Sequence, residues 1–379
     1  MKIQRIIIFE ILQKLADSDK AIIIYGPRQV GKTTLCKDIM AQVGLKTLYI
    51  NADEARFVDV LGSRDARKLT ELTAGYQLLI IDEAQRVPDI GLNLKILIDA
   101  KTGIKIIATG SSSFELSSKI NEPLTGRHWT YLLYPIAGIE LLDQYNTFEL
   151  TSALEERLIW GSYPEVFSIV GATEKEAYLR TLASDYLYKD ILALQSVRNA
   201  GKIRDLLKLL AFQVGSQVSL SELARALEMS KETVAHYLDL LEKTFVLFRL
   251  SGFSRNLRKE VSKMSKYYFY DIGVRNSVID NFKSLALRND VGALWENFLI
   301  MERVKRNAYR SFHATPYFWR TYTGAEIDYI EEHEDALSGY EFTWGQRDKK
   351  REPASWRVAY HTATWHSIDR STWGSFALE

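Results

Sequence analysis

The chain has 379 residues, of which 46% are hydrophobic and 26% are charged, and its net charge at pH 7 is +1. This composition is that of a globular protein with room for two to four domains, and the near-zero charge excludes binding to nucleic acid by overall charge alone. The single cysteine, Cys36, excludes an intramolecular disulfide and fits a reducing compartment. No apolar run approaches the roughly 20 residues of a membrane helix, and residues 6–9 are too short for a signal segment. We therefore expect a cytoplasmic protein without a membrane partner.

The first motif lies between a strand and a helix. Residues 1–20 have apolar side chains at helical spacing and predict an amphipathic helix. An apolar strand follows at 21–25, then GPRQVGKT at 26–33, then a helix to residue 43. This is the context that the pattern G-x-x-x-x-G-K-[ST] requires. Two glycines let the backbone N–H groups face inward around an anion, and the helix N-terminus adds positive potential.

The side chains of this loop have separate roles. Lys32 can reach the outer phosphates, and the Thr33 hydroxyl can hold Mg²⁺. The alternative is a turn that matches the motif by chance. A second motif in the chain argues against this alternative. Nucleotide contacts are expected from Gly26, Pro27, Arg28, Gln29, Val30, Gly31, Lys32, Thr33 and Thr34.

The second motif is LLIIDE at residues 78–83. Four apolar residues predict a buried parallel strand, with two carboxylates at its end. Asp82 would meet Mg²⁺, and Glu83 would polarise the water that attacks the γ-phosphate. Alone, such an acidic pair would indicate a solvated turn. Together with the loop, it predicts a nucleotide-hydrolysing site with Lys32 and Glu83 as catalytic residues and Thr33 and Asp82 as metal-binding residues.

Strands and helices alternate in the rest of this region. The alternation predicts a parallel sheet with right-handed crossovers, and ligands bind at the carboxyl ends of such strands. The predicted strands are 47–50, 77–82, 104–108 and 129–133, and the predicted helices are 66–73, 90–99 and one from Phe114.

These motifs resemble those of AAA+ ATPases. The resemblance rests on GPRQVGKT, LLIIDEAQ, ATGSSS, LTGRHW and GSYPEV, and is strongest over residues 20–170. The chain is most similar to a bacterial and archaeal group that joins an AAA+ domain to a winged helix and a PD-(D/E)XK nuclease-like domain. The resemblance implies an α/β P-loop NTPase fold with sheet order 5-1-4-3-2 and a helical lid, followed by a winged helix and an α+β restriction-endonuclease-like domain. It implies ATP or ADP and Mg²⁺ as ligands.

Four domains are expected in chain order. Helical spacing from Ala137 to about Ala200 corresponds to the lid, and Asn199 and Gly201 mark its end. The AAA+ nucleotide-binding domain precedes it, and the winged helix and the nuclease-like domain follow. The predicted boundaries are 1–136, 137–200, 201–284 and 285–379.

Two further catalytic positions follow from the resemblance. The strand ending at Thr109 should lie between the two motif strands, so that a polar residue at its tip senses the γ-phosphate. Ser111 is the first choice and Thr109 the second, with a simple polar turn as the alternative. Arg127 occupies the corner where similar proteins have an arginine finger that acts on a neighbouring subunit. That role implies a homo-oligomer such as a ring, and the alternative is a surface arginine paired with a carboxylate.

Residues 202–270 predict a winged helix-turn-helix. Helices are expected at 202–212, 219–227 and 231–243, and strands at 245–250 and 266–270. This region has 12 lysines and arginines against seven acidic residues. Such a module could bind DNA or a protein, or form the body of an AAA+ protein. The candidate DNA-binding residues are Lys231, Thr233, Arg255, Arg258, Lys259 and Lys263.

The last region resembles the PD-(D/E)XK nuclease fold. By that pattern Glu296, Asp328 and Glu341 are the metal ligands. Thr343 stands where the fold has its lysine, and only a distorted geometry would return Lys349 or Lys350 to the site. We therefore expect a degenerate domain used for binding or assembly, with an active nuclease as the weaker alternative. The tail, with Trp356, Trp365 and Trp373, predicts closing strands and a helix, and base stacking by these rings is left open.

The sequence thus supports two functions. The first is a Mg²⁺-dependent ATPase that acts on DNA as an oligomer. The second is a nucleotide-controlled switch or scaffold that binds a protein partner and hydrolyses ATP slowly. Salt-dependent DNA affinity distinguishes them.

Overall fold

The chain divides into two units near residue 135. The computed structural model describes residues 3–111, 120, 123–187, 200–254, 265–345 and 350–379. The N-terminal unit ends at Tyr134 and also includes Lys243–Phe245. The C-terminal unit comprises Pro135–Glu242 and Val246–Glu379. Each unit contains a β-sheet of its own.

The sheet of the N-terminal unit has five parallel strands. They are β1 (Ala21–Tyr25), β2 (Thr47–Asn51), β3 (Leu78–Asp82), β4 (Lys105–Gly110) and β5 (His128–Leu132). Their order is β2-β3-β4-β1-β5, so the predicted order 5-1-4-3-2 is confirmed. Every residue of β1 and β3 is buried, as expected for apolar runs at interior positions of a parallel sheet.

Five helices of the described residues accompany these strands, and the sequence did not predict one of these helices. They are α1 (Ile7–Asp17), α2 (Lys32–Val43), α3 (Ala55–Leu61), α4 (Ala66–Thr73) and α5 (Ile90–Asp99). The unpredicted helix is α3. Only Leu61 of its residues is buried, and Glu54 at its N-cap makes no side-chain capping bond, so the sequence lacks both usual signals. The helix predicted from Phe114 lies outside the described residues.

The first half of the C-terminal unit is helical. Ser219 and Ser230 accept hydrogen bonds from the backbone N–H groups of Glu222, at 3.4 Å, and Thr233, at 3.1 Å. These caps set the starts of the second and third helices of the predicted helix-turn-helix. The elements are α6 (Thr147–Ser152), α7 (Leu154–Trp160), α8 (Ala172–Thr181), a π-helical segment (Leu182–Leu187), α9 (Ala200–Phe212), α10 (Leu220–Leu227) and α11 (Lys231–Lys243).

A seven-stranded sheet runs through the second half of this unit. Its strands are β6 (Gln217–Val218), β7 (Leu247–Gly252), β8 (Ser265–Phe269), β9 (Thr315–Arg320), β10 (Glu326–His333), β11 (Ala336–Phe342) and β12 (Thr364–Ile368), in the order β12-β11-β10-β9-β7-β8-β6. Strands β7 and β9 pair in parallel at Gly252 and Phe318. Strands β7 and β8 pair antiparallel and are called the hairpin below. The pairing of β7 with β9 joins the hairpin to the C-terminal strands and covers an edge that each would otherwise expose.

Four helices accompany this sheet in the described residues, namely α12 (Ile272–Val278), α13 (Val291–Tyr309), α14 (Ala354–Ala359) and α15 (Trp373–Ala377). Trp295, Trp356 and Trp373 are all almost fully buried. Trp356 and Trp373 therefore belong to the core, and base stacking does not fit them. None of the helices in the described ranges has both the length and the apolar character needed to cross a membrane.

Asn297 ties α13 to the sheet. Its buried side chain accepts a hydrogen bond from the backbone N–H of Phe269 at 2.9 Å and donates one to the carbonyl of Phe269 at 2.8 Å. Strand β6 pairs with β8 only at Ser265 and Lys266. Asn297 therefore takes the place of a neighbouring strand at the far end of this edge.

Replacing Asn297 with alanine should leave both backbone groups of Phe269 buried and without their partner. We expect the free energy of unfolding to fall by about 3 kcal/mol, as measured by urea denaturation of the full chain. The matched control is Asn289→Ala at an exposed position, which should change this free energy by less than about 0.5 kcal/mol. A loss as small as the control's would show that Asn297 does not support β8.

Candidate nucleotide site

The phosphate loop follows β1 and leads into α2. Gly26 has a φ angle of +155°, and a Cβ atom there would lie 2.3 Å from the carbonyl oxygen of Leu133. Gly31 has a φ angle of +99° and directly precedes the helix. Side chains are therefore excluded from the first position and strained at the second, which explains the glycine spacing of the motif.

The Lys32 ammonium lies inside the curl of this loop. Its Nζ donates to the carbonyl oxygens of Gly26 and Pro27, each at 2.9 Å, and the side chain is buried. The positive charge is thus held beside the N-terminus of α2, where the helix dipole also favours an anion.

Asp82 is the centre of a hydrogen-bond network. Its Oδ2 accepts from the Thr33 hydroxyl at 2.6 Å and the Tyr49 hydroxyl at 2.7 Å, and its Oδ1 accepts from Thr109. Burial by itself would raise the pKa of Asp82, but the hydrogen bonds from Thr109, Thr33 and Tyr49 and the charge of Lys32 outweigh it and hold the pKa below its usual value. The carboxylate is therefore charged at neutral pH and suited to attract a cation.

Glu83 follows in the left-handed conformation, with a φ angle of +56°. Its Oε2 accepts from Gln85 Nε2 at 2.5 Å and lies 3.4 Å from Ser111 Oγ, and its backbone N–H donates to Thr109 Oγ1 at 3.3 Å. The predicted catalytic carboxylate and both sensor candidates thus lie together at the ends of β3 and β4. The sequence reasoning did not single out Gln85, although it belongs to the quoted motif LLIIDEAQ.

Arg5 is a second residue that the sequence reasoning missed. Its guanidinium is buried and donates to the carbonyl of Val30 at 2.8 Å and to that of Tyr134 at 2.6 Å. Arg5 therefore links the phosphate loop to the segment that follows β5. No motif marks it, because its partners are backbone atoms distant in sequence.

Arg127 lies at the amino-terminal ends of β1 and β5, whereas the phosphate loop follows the carboxyl end of β1. It directly precedes β5, and its carbonyl accepts from the backbone N–H of Ala21 at the start of β1. The phosphate loop is at the opposite end of β1, roughly 13 Å away at the usual rise per residue. Its side chain pairs with Asp99 at 3.1 Å, as the surface alternative predicts.

The candidate DNA-binding residues are only partly described. Lys231 is exposed at the first turn of α11, and Thr233 is half-buried there and bonded to Ser230. Glu232, beside them, is also exposed, so the charge at this helix start is mixed. The remaining candidates, Arg255, Arg258, Lys259 and Lys263, lie outside the described residues.

The three carboxylates of the nuclease-like pattern lie in the C-terminal unit. Glu296 is on α13, Asp328 on β10 and Glu341 on β11. The Lys350 ammonium contacts Glu341 Oε1, so one of the two lysines beyond β11 reaches this carboxylate. The physical reason is that a buried carboxylate strongly favours a nearby cation. Lys349 lies outside the described residues.

These carboxylates share a low-dielectric environment. Burial, reinforced by the charge of Asp328, raises the pKa of both Glu296 and Glu341 to about 7. Burial would lower the pKa of Lys266, but the charges of Glu296, Asp328 and Glu326 outweigh burial and raise it. Across the described ranges, no group of three or more His, Cys, Asp or Glu side chains is arranged to hold a metal ion.

Fold and site together define a class for the N-terminal unit. It has the parallel α/β fold of P-loop NTPases, with the phosphate loop at the end of β1 and Asp82 at the end of β3. Family comparisons agree, since residues 18–142 match the AAA domain. Residues 151–285 and 291–367 match two domains of unknown function, DUF8612 and DUF4143.

Relatives cover most of the chain. An uncharacterised protein of Mycobacterium tuberculosis is 29% identical over 314 residues, which are 82% of this chain and 67% of that protein. One of Methanocaldococcus jannaschii is 29% identical over 338 residues, or 76% and 70% of the two chains. Among solved structures, a Walker-type ATPase of Pyrococcus abyssi is similar with a TM-score of 0.53 and 15% identity, over 73% of this chain and 96% of that one. That likeness shows the fold alone.

Arg5→Ala should loosen the phosphate loop. Because two buried carbonyls lose a charged donor, we expect the free energy of unfolding of the N-terminal unit to fall by about 3 kcal/mol, as measured by urea denaturation. Arg5→Lys should recover part of this loss, since lysine keeps the charge but not the two-pronged geometry. Arg56→Ala, at an exposed position, is the control, and an equal effect there would contradict this role of Arg5.

Proposed function

We propose that the N-terminal unit binds ATP with Mg²⁺ and hydrolyses it to ADP and phosphate. The observation that carries this proposal is the 2.6 Å hydrogen bond between Thr33 Oγ1 and Asp82 Oδ2, which joins the two motifs at one edge of the sheet. The AAA domain match over residues 18–142 supports it.

The loop would bind the phosphates, and the loop together with the end of β3 would bind the metal. Lys32 and the backbone N–H groups of residues 26 and 28–34 bind the phosphate oxygens, while Pro27 has no N–H to donate. Thr33 and Asp82 fit a hard cation, because one offers a hydroxyl and the other a charged carboxylate. Held by these two residues, Mg²⁺ would supply positive charge to neutralise the phosphates.

Hydrolysis depends on the neighbouring carboxylate. Glu83 accepts a proton from the attacking water. Gln85 Nε2 lies 2.5 Å from Glu83 Oε2 and orients the Glu83 carboxylate. Ser111 at the end of β4 senses the γ-phosphate, and Thr109 is the alternative for this role. Because the Thr109 hydroxyl bonds the Asp82 carboxylate, whereas the Ser111 hydroxyl contacts Gln85 and the Glu83 carboxylate, their substitutions should affect different steps.

Glu83→Gln should retain ATP but lower turnover by on the order of 1,000-fold, since an amide cannot accept the proton. Phosphate release measures turnover, and titration with a fluorescent ATP analogue measures binding. Lys32→Ala should instead weaken binding. Glu71→Gln, on the exposed face of α4, is the matched control and should change neither quantity. Normal turnover in Glu83→Gln would remove Glu83 from the mechanism.

We further propose that the active species is a homo-oligomer, such as a ring, in which Arg127 of one subunit acts on the nucleotide of the next. In support of this proposal, Arg127 lies at the amino-terminal end of β5, away from the phosphate loop of its own subunit. Its partner Asp99 is half exposed, and so is Arg127 itself. An exposed ion pair of this kind stabilises little and can open on assembly.

DNA is the partner that we propose for this oligomer. Helices α9 to α11 with strands β7 and β8 follow the winged-helix pattern, in which the helix after the turn enters a groove. Lys231 and Thr233 at the start of α11 would contact phosphates. The alternative, a switch that binds a protein, predicts no such contacts.

The ATPase rate per subunit should rise with protein concentration and with added duplex DNA. DNA stimulation should fall steeply with salt, because phosphate contacts release counterions. Arg127→Ala should lower turnover by on the order of 1,000-fold at unchanged ATP affinity. Asp99→Ala breaks the same ion pair but keeps the arginine, so its turnover should persist.

Two outcomes would overturn this assembly. Equal loss in Arg127→Ala and Asp99→Ala would mean that the ion pair is only structural. A slow rate that is flat in concentration and indifferent to DNA would favour the switch. Mixing Arg127→Ala with Lys32→Ala should restore part of the activity, since mixed oligomers contain some intact interfaces.

A further inference from the structure

The nuclease-like pattern implies a divalent cation among Glu296, Asp328 and Glu341, and the contacts of these residues test whether one fits. A divalent Mg²⁺ ion needs about six oxygen ligands in a nearly octahedral shell. The carboxylate oxygens must therefore be free to converge on one point.

The carboxylate of Glu296 is mostly buried and is bonded through one oxygen. Its Oε1 accepts from the Tyr268 hydroxyl at 2.6 Å and from Lys266 Nζ at 3.3 Å. Its Oε2 would lie 3.1 Å from a Cβ atom on Gly215, so it faces the backbone of that residue. The hydrogen bonds to Oε1 therefore turn that oxygen towards Tyr268 and Lys266 rather than towards the other two carboxylates.

Lys266 supplies the positive charge at this point. It is 1% exposed, and its Nζ also lies 2.6 Å from Glu326 Oε1 on β10. A buried ammonium is costly unless several acceptors surround it, and Glu296 and Glu326 provide them. The lysine comes from β8 of the hairpin, whereas its acceptors come from α13 and β10.

The other two carboxylates are also engaged. Asp328 Oδ2 accepts from the backbone N–H of Phe342 at 2.9 Å, and Glu341 Oε1 contacts the Lys350 ammonium. Lysines thus contact one oxygen of Glu296 and one of Glu341, while Glu341 Oε2 is buried without a hydrogen-bond partner among the described residues. Within the described ranges the three carboxylates are not arranged to hold one metal ion together. The residues present do not fit the metal site that the resemblance implies.

We propose that Lys266 is an internal cation that stands in place of the divalent metal. It binds the carboxylates of α13 and β10 to the hairpin strand β8, so that the C-terminal strands and the hairpin form one metal-independent platform. The parallel pairing of β7 with β9 gives the same platform its backbone continuity. Divalent cations therefore have no site in this cluster while Lys266 is present.

Thermal unfolding of the nucleotide-free full chain, in EDTA and in MnCl₂, tests this proposal. Mn²⁺ should change the melting temperature of the C-terminal unit equally in the wild type and in Asp328→Asn. Lys266→Met should lower the melting temperature by about 5–10 °C in EDTA, because it leaves buried carboxylates without their cation. Mn²⁺ should then restore several degrees, since the vacated space is lined by carboxylates.

Lys305→Met is the matched control. Lys305 is also a buried lysine of this unit and pairs with Glu302 at 3.0 Å, but Arg157 neutralises the same carboxylate at 3.0 Å. Its melting temperature should fall without recovery in Mn²⁺. The double variant Lys266→Met with Asp328→Asn should likewise lose the recovery.

Two results would overturn the proposal. One is a rise in the wild-type melting temperature with Mn²⁺ that Asp328→Asn abolishes, which would mean that the native cluster binds metal. The other is a Lys266→Met variant that Mn²⁺ stabilises no more than it stabilises Lys305→Met. Should Lys266→Met fail to fold, the wild-type comparison with Asp328→Asn still decides between an internal cation and a bound metal.

Discussion

The charged carboxylate of Asp82 is the constraint on which the nucleotide site depends. A buried carboxylate is stable only if donors surround it, and here hydroxyls from α2, β2 and β4 do so. The same bonds set the spacing between the phosphate loop and the two strands beside it. The hydrogen bonds that satisfy the buried carboxylate therefore also lower its pKa and keep it charged, as cation binding requires.

Buried charge also organises the C-terminal unit. Glu302 on α13 is almost fully buried and accepts from Arg157, Lys305 and the backbone N–H of Gly138, which links α13 to the helical segment that begins the unit. Lys266 does the same between the hairpin and the C-terminal strands. Each group would be costly alone, so each specifies which elements must come together. The two nucleotide motifs are thus not the only place where this chain uses buried ions.

Local patterns predicted the N-terminal unit well. Apolar runs mark β1 and β3 because parallel strands are covered on both faces, and the glycines at 26 and 31 mark a backbone that other residues cannot adopt. The helix α3 escaped because it buries little and lacks a cap. Arg5 and Gln85 escaped for a different reason. Their partners are carbonyls or side chains brought near only by the fold, and no spacing along the chain encodes such contacts.

The sequence by itself determined the phosphate loop and the acidic strand end, because each is a local motif. The order of the five strands came from the family resemblance that these motifs carry. Only the tertiary structure decided how the C-terminal charges are satisfied. The missing lysine at Thr343 was visible in the sequence, but the return of Lys350 to Glu341 and the placement of Lys266 against Glu296 were not. Ion pairing acts through space and at low dielectric, so a strand from the hairpin can supply the charge that the motif itself lacks.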